Sequence, residues 1–514
     1  MMEQRRLFIT LVFILGLVLS VYSNSLQGGF VYDDIYFIKE NPLIRSLSNI
    51  PAMFTSAFWE ASSRPTKSFY RPLVVLSYAV NFALGGFDPF GYHLLNVLLH
   101  VANTFLVFLI THHLCRSLPL SATVSLLFGL HPINTEAVAW VSGRTDLLGT
   151  LFSLAALVLY ISAYPPSASD QPEPKRGRSF WIGSLLAFFL GLFAKENTAT
   201  IVGVLLLYEF TLRPAIPQKG RRLLPYLVIL VAYLGWRMAI LGSLGTGKSF
   251  VANPLIAEPA SARLWTGMVL LGKYLWLLLF PLRLAVDYSL NTIPIAHTPW
   301  ELRVILPGIA GLGLILLWVR CWKRTPLLSF GLTFFWVTGA LIFANALFPF
   351  GPILAERFMY LPSVGFVMAV AGLGRWGMAF LPERVRAVAI SLLVVAVLAG
   401  FSVRTWERAY DWRDDFSLFQ SGVAVNPESV IIRYNLGYQY FIRGQFALAR
   451  DHYLKALEIY PAFFMGYYGL GNIALAEKNY AQAVEYPLQS GIPLSHISRD
   501  PYKPWSGLPG AGEA

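Results

Sequence analysis

Charge is what this sequence lacks. Lys, Arg, Asp and Glu make up 13% of its 514 residues, where a soluble globular chain carries roughly 25%. With 56% hydrophobic residues and a mean hydropathy of +0.55, that deficit excludes a soluble fold and places the chain among membrane proteins. Cysteine is equally scarce. Cys115 and Cys321 are too few and too isolated for a disulfide framework or a metal site. No small-x-small cleavage site follows the first apolar run, 7–23, although Arg5 and Arg6 precede it. The run is therefore expected to be a retained anchor helix rather than a cleaved signal. Eukaryotic sorting signals are also absent, which leans the expected location toward a bacterial inner membrane. The net charge of +12 is not a nucleic-acid footprint, because its basic residues gather in short loops between apolar runs, where they set orientation.

What is present is a series of such runs: 7–23, 90–113, 118–131, 145–163, 180–194, 197–213, 223–242, 302–322, 327–346, 358–380 and 386–404. Two more, 71–86 and 263–281, are ambiguous. A bilayer crossing needs about 20 apolar residues. Basic clusters mark the cytoplasmic side, and five occur: Arg5/Arg6, Lys175/Arg176/Arg178, Arg213/Lys219/Arg221/Arg222, Arg320/Lys323/Arg324 and Arg375/Arg384/Arg386. Placing all five inside demands an even number of crossings between them. Segments 71–86 and 263–281 are then non-crossing, and about eleven spans remain. The expected fold is all-α and polytopic, with a membrane domain over 1–405 and a first outer loop at about 23–89.

That parity puts several polar sets on the outer side. Asp33 and Asp34 sit in the first loop, and adjacent carboxylates beside a bilayer must be solvated, paired or used. Their bland reading is a solvated pair, and the sharper one is catalysis. His93, Asn96 and His100 share one helix face by their spacing of three and four. The stretch from His131 to Asp146 holds Glu136 and Arg144, with an internal ion pair as its plain reading. Lys195-Glu196 interrupts two apolar runs, and Glu356-Arg357 opens another. Arginine suits a phosphate there, because its fork donates two parallel hydrogen bonds. Gly242–Ser249 satisfies the P-loop pattern, but an apolar span precedes it and Pro254 follows it closely. Without a strand before it and a helix after it, it reads as a flexible loop or lid.

From about Tyr410 the composition turns soluble. Pro427 and Pro461 are 34 residues apart, the tetratricopeptide period. The first repeat, 430–463, carries Leu436-Gly437, Tyr440, Ala449, Tyr453 and Ala456; the second carries Tyr467, Leu470-Gly471 and Ala483, then departs at Pro487. About two repeats over 406–488 are expected, with 489–514 a disordered or degenerate tail. So short an array must lean on a neighbour, such as a preceding helix over 411–425.

Together these motifs resemble the transmembrane-and-tetratricopeptide O-mannosyltransferases, within the wider GT-C glycosyltransferases. The resemblance covers about residues 20–485. It rests on Tyr32-Asp33-Asp34, Tyr70-Arg71-Pro72-Leu73, Gly91-Tyr92-His93, His131-Pro132 with Thr135-Glu136-Ala137, Gly143-Arg144 with Asp146-Leu147-Leu148, Lys195-Glu196, and Glu356-Arg357 with Tyr360-Leu361-Pro362. Their order, with repeats at the C-terminus, is what is specific. Asn134 stands where members often carry a His, so no role is carried to that position.

The resemblance implies a GT-C-like enzyme that moves a sugar, expected to be mannose, from a polyprenyl-phosphate donor to a hydroxyl, expected to be a protein Ser or Thr. It implies an acid of the first outer loop, Asp33 or Asp34, as the catalytic group. That acid would act as general base in an inverting displacement. Arg357 is the first candidate for the donor phosphate, with Arg144, Lys195 and Arg71 behind it. Glu136, Asp146, Glu196, His93, His131 and Tyr360 are candidates for substrate contact. No cofactor is expected; a divalent metal is not favoured, since one acidic pair without a nearby His is a poor cage. Expected partners are the donor lipid, a protein or other hydroxyl acceptor, the bilayer, and proteins contacting the repeats, with no nucleic acid. The active site and the repeats are expected on the extracytoplasmic side. Two other classes stay open: a flippase or exporter of lipid-linked sugar, and a non-catalytic scaffold.

Overall fold

The computed structural model describes residues 2–58, 69–166, 173–212, 219–242, 249–322, 324–377 and 382–489. Residues 243–248 of the P-loop-like stretch lie outside the described residues, as do Arg213, Lys323 and the tail beyond 489.

Among the described residues the fold is helical, with no strand. Backbone groups in hydrocarbon have no water to bond, so each apolar run must satisfy its own by coiling into a helix. Every run expected to span does form a helix: α1 Met2–Val21, α4 Pro89–Cys115, α5 Leu118–Gly129, α7 Arg144–Ala163, α8 Pro174–Leu192, α9 Ile201–Thr211, α10 Lys219–Leu241, α12 Leu302–Cys321, α13 Pro326–Leu347, α14 Tyr360–Gly377 and α15 Glu383–Asp411. The short helices between them are α2 Ile50–Thr55, α3 Pro72–Gly85 and α6 Thr135–Ala139. The second ambiguous run is α11 Ala260–Leu279.

Among the described residues eight helices are long and apolar enough to cross a membrane on their own: α1, α4, α7, α10, α12, α13, α14 and α15. This makes the chain an integral membrane protein, while the count of eleven is not reached by that measure. α5 has 12 residues, α9 has 11, and α8 opens on Lys175, Arg176 and Arg178. The exposed sides of α12 and α15 are apolar for most of their length, as a lipid-facing helix requires.

The main core joins α1, α4, α5, α7 to α10, α13 and α14. Small residues let α13 and α14 approach closely: a Cβ on Gly365 would stand 2.4 Å from Phe335 N and 2.6 Å from Gly331 O. Helix ends sort into two groups. Arg222 at the start of α10 lies over Tyr164 at the end of α7, 4.3 Å from its ring, and 3.6 Å from Glu209 near the end of α9. The opposite ends of α7, α9 and α10 meet around Glu196 and Lys195.

The repeats follow α15: α16 Asp415–Val425, α17 Val430–Phe441, α18 Phe446–Ile459, α19 Phe464–Ala476 and α20 Tyr480–Gln489. They lean on the membrane domain. Val251 and Leu290 join the apolar core of the repeats. Asp287, half-buried in the segment between α11 and α12, accepts hydrogen bonds from Ser429 Oγ at 2.7 Å and Ser289 N at 3.1 Å.

Candidate active site

After α1 the chain enters a 3-10 turn, Ser23–Gln27, then an extended run to a tight turn at Tyr32-Asp33. Tyr32 has φ 55°, the left-handed region that costs a bulky residue energy. Its surroundings hold it there. Its N–H donates to Asp415 Oδ1 at 2.8 Å, and its ring packs at 6.1 Å from Trp140 and 6.0 Å from Phe419.

The turn gives the two acids different settings. Asp34 is fully buried. Its carboxylate accepts from Ser142 N at 2.8 Å, from the Ser142 hydroxyl, and from Val31 N at 3.1 Å. Burial pushes its carboxyl up to about 7 against those hydrogen bonds, and the Asp33 charge adds to the push. Asp33 is partly exposed, and its charge is felt by Arg357 as well.

Arg357 sits in the 3-10 turn Glu356–Met359 that opens α14. Its guanidinium pairs with Glu136, whose other oxygen accepts the Arg357 backbone N–H at 2.8 Å. The guanidinium also stands 5.2 Å from the Trp140 ring and 5.3 Å from Phe358. Lys195 pairs with Asp146 and lies 5.7 Å from that same Phe358 ring. Burial lowers the Lys195 ammonium, Asp146 opposes this, and the neighbouring Arg71 and Arg357 charges lower it further. Glu196 is shared by Arg71 at 3.0 Å and Arg237 at 2.8 Å. Burial would raise its carboxyl, but the two guanidinium groups outweigh this and hold it at about 2.

Arg357 and Lys195 thus flank Phe358, and Arg71 stands near enough for its charge to act on Lys195; each has part of its side chain accessible, 21% for Arg357, 11% for Lys195 and 15% for Arg71. Arg144 is set apart from them. It is fully enclosed, and its donors go to Asn96 Oδ1 at 2.8 Å, Asn81 Oδ1 at 2.6 Å, Tyr92 O at 2.8 Å and Ser77 Oγ at 3.3 Å. The internal pairs Arg144–Asp146 and Glu136–Arg144 do not form; each acid pairs with a residue far along the chain. His93, His131 and Tyr360 are buried around the site. His93 Nε2 lies 3.1 Å from Gly29 O, His131 bridges Ile133 N and Leu278 O, and Tyr360 bonds His100 and Asn103.

Sequence reasoning did not single out Arg237, Arg408, Ser142 or Asp415. Two of these carried a signal. Arg237 and Arg408 are charges within apolar helices, which is costly unless each is used. Arg408 is enclosed between Asp411, at 3.1 Å, and Glu356, at 3.9 Å. Ser142 and Asp415 carried none, being ordinary polar residues of a turn and a helix start. Among the described residues no three His, Cys, Asp or Glu side chains are placed to hold a metal ion.

The structure defines a polytopic helical membrane protein with docked tetratricopeptide repeats and a cluster of paired ionisable residues at one end of the bundle. Two family models match it: "Protein O-mannosyl-transferase TMTC, DUF1736" over residues 249–315, and "Tetratricopeptide repeat" over 431–463. Protein O-mannosyl-transferase Tmtc3 of Drosophila melanogaster is 30% identical, across 91% of this chain and 57% of its own. Protein O-mannosyl-transferase TMTC1 of Homo sapiens is 30% identical, across 88% and 55%. The chain spans little more than half the length of these curated relatives. Among solved structures, ArnT from Cupriavidus metallidurans bound to undecaprenyl phosphate is 14% identical, covering 91% of this chain and 79% of its own with a TM-score of 0.41. An Archaeoglobus fulgidus oligosaccharyltransferase tethered with an acceptor peptide is 13% identical, covering 83% and 57% with a TM-score of 0.42. By sequence the chain is similar to the transmembrane-and-tetratricopeptide protein O-mannosyl-transferases, the family its motifs resemble.

Proposed function

We propose that this protein is a glycosyltransferase that moves mannose from a polyprenyl-phosphate donor to a Ser or Thr hydroxyl of a protein, on the extracytoplasmic face of its membrane. The observation that carries this reading is that the Trp140 ring packs against both Arg357 and Tyr32, which brings the partly exposed Asp33 to the cluster of Arg357, Lys195 and Arg71. Asp33 is the base. It takes the acceptor's hydroxyl proton as the oxygen attacks the anomeric carbon. The bond from that carbon to the phosphate oxygen breaks, and the phosphate leaves with the electron pair. Its growing charge is met by Arg357, with Lys195 and Arg71 in support. Glu136 holds the Arg357 fork in place. One displacement inverts the anomeric carbon.

Asp34 serves by fixing the turn to Ser142 rather than by touching substrate. The test is transfer of label from a radiolabelled polyprenyl-phosphate mannose to protein by purified enzyme. The wild type should label protein and the D33N variant should not. Normal labelling by D33N, or a product with retained configuration, would sink the mechanism.

A further inference from the structure

The turn that carries Asp33 is tied to the membrane bundle at Asp34 and to the start of the repeats at Tyr32. We propose that Asp415, at the start of α16, is a positioning residue for Asp33, so that the helix leading into the repeats sets the geometry of the transfer site. The inference rests on Asp33 being the base.

Four contacts carry it. The Tyr32 N–H donates to Asp415 Oδ1 at 2.8 Å. The Gly29 N–H donates to Arg413 O at 2.9 Å. Phe419, also on α16, packs on the Tyr32 ring at 6.0 Å. Trp412 stacks on Trp140 at 5.9 Å, and Trp140 faces both Tyr32 and Arg357. The Tyr32 backbone is left-handed with φ 55°, a conformation that persists in a bulky residue only where its surroundings over-determine it. Asp34, one residue past Asp33, is held by Ser142. Asp33 is therefore suspended between two anchors that come from different parts of the chain.

α16 is itself held by the repeats and by the segment before α12. Asn426 Nδ2 donates to Asp287 O at 2.7 Å. A Cβ on Gly422 would stand 3.1 Å from Ile432 of α17 and 3.2 Å from Val286. The repeats and the base thus share one rigid connection.

The experiment uses the full chain in nanodiscs with labelled polyprenyl-phosphate mannose and a Ser/Thr peptide. D415A should lower kcat by about 10- to 100-fold, the range supported by a hydrogen bond to a charged acceptor. The donor KM should stay within about threefold. D415N keeps an oxygen acceptor for the same N–H and should restore kcat to near the wild-type value. Hydrogen exchange of the peptide around Tyr32 should quicken in D415A and not in D415N. Where D415A does not fold, D415S replaces it; serine suits a helix start but is too short to reach Tyr32. A wild-type kcat in D415A or D415S, unchanged exchange at Tyr32, or equal impairment in D415N would each overturn the proposal. Full transfer by D33N would overturn the base reading instead, and exchange at Tyr32 would still report whether Asp415 holds the turn.

Discussion

Replacing Asp34 by asparagine should change how the protein's stability depends on pH. In the fold this carboxyl titrates near 7 instead of its ordinary 3.8. As pH rises, the unfolded chain releases the proton from about pH 4 and the fold holds it to about pH 7. The stability from this group is therefore fully present below pH 4, declines between pH 4 and 7, and is gone above. At 1.36 kcal/mol per pH unit the loss comes to about 4 kcal/mol. Burial sets its size, while the Ser142 and Val31 donors moderate it.

The assay is thermal denaturation in detergent at pH 5 and pH 8 for wild type, D34N and D33N. The wild-type midpoint should fall toward pH 8, and D34N should lose that part of the slope. D34N should also carry a constant cost of about 1–3 kcal/mol, because its amide NH2 faces a buried N–H donor. D33N should keep the slope and lose transfer by about 10²- to 10⁴-fold, the usual range for a general base. Equal slopes in wild type and D34N would refute the burial argument. Transfer abolished by D34N and retained by D33N would reverse the roles of the two acids.

Three further outcomes follow from the contacts. Arg357→Lys should lower kcat by roughly 10²-fold in the transfer assay, since an ammonium cannot hold Glu136 and a phosphate with one planar fork. Gly365→Ala should sharply reduce folded protein on size exclusion, because the new Cβ meets α13 backbone at 2.4 Å and the two helices must part. Ser429→Ala removes a 2.7 Å donor from half-buried Asp287; it should cost about 1 kcal/mol and speed limited proteolysis near residue 427.

The helices were legible because a bilayer leaves an apolar run little choice, and each run read as a span is a helix. The span count was less legible. α5 and α9 are 12 and 11 residues long, and each has one polar flank drawn into the protein, with His131 and Asn134 buried after α5 and Thr198 buried before α9. Hydropathy cannot tell such a flank from one set in headgroups. The members of the ionic cluster were legible as charges lodged beside apolar runs. Their pairing was not. Glu136 meets Arg357 across 221 positions and Arg71 meets Glu196 across 125, and no local pattern records such matches. Arg144 makes the same point from the other side. In sequence it is an interfacial cation like Arg357. Only the fold shows its donors already taken by Asn96, Asn81, Ser77 and Tyr92.

That difference bears on how a phosphate would be held. Bare cations at the end of an apolar bundle would be expensive, so each resting cation of the cluster has an acid. Arg71 and Arg237 share Glu196, Lys195 pairs with Asp146 and Arg357 pairs with Glu136. With Asp33 beside them the four cations are matched by four carboxylates, so an arriving phosphate is met by donors that the pairs leave over. Arg357 is best placed to meet it. A guanidinium has five N–H donors, and Glu136 engages the Arg357 side chain through Nη1 alone, taking the backbone N–H with its other oxygen. The resting ion pair therefore aims the fork while leaving other donors for the leaving group. Arg144, with its donors spent, keeps the surrounding helices in register instead. Asp33 stands beside the cluster on a turn fastened at both sides, to Ser142 and to Asp415.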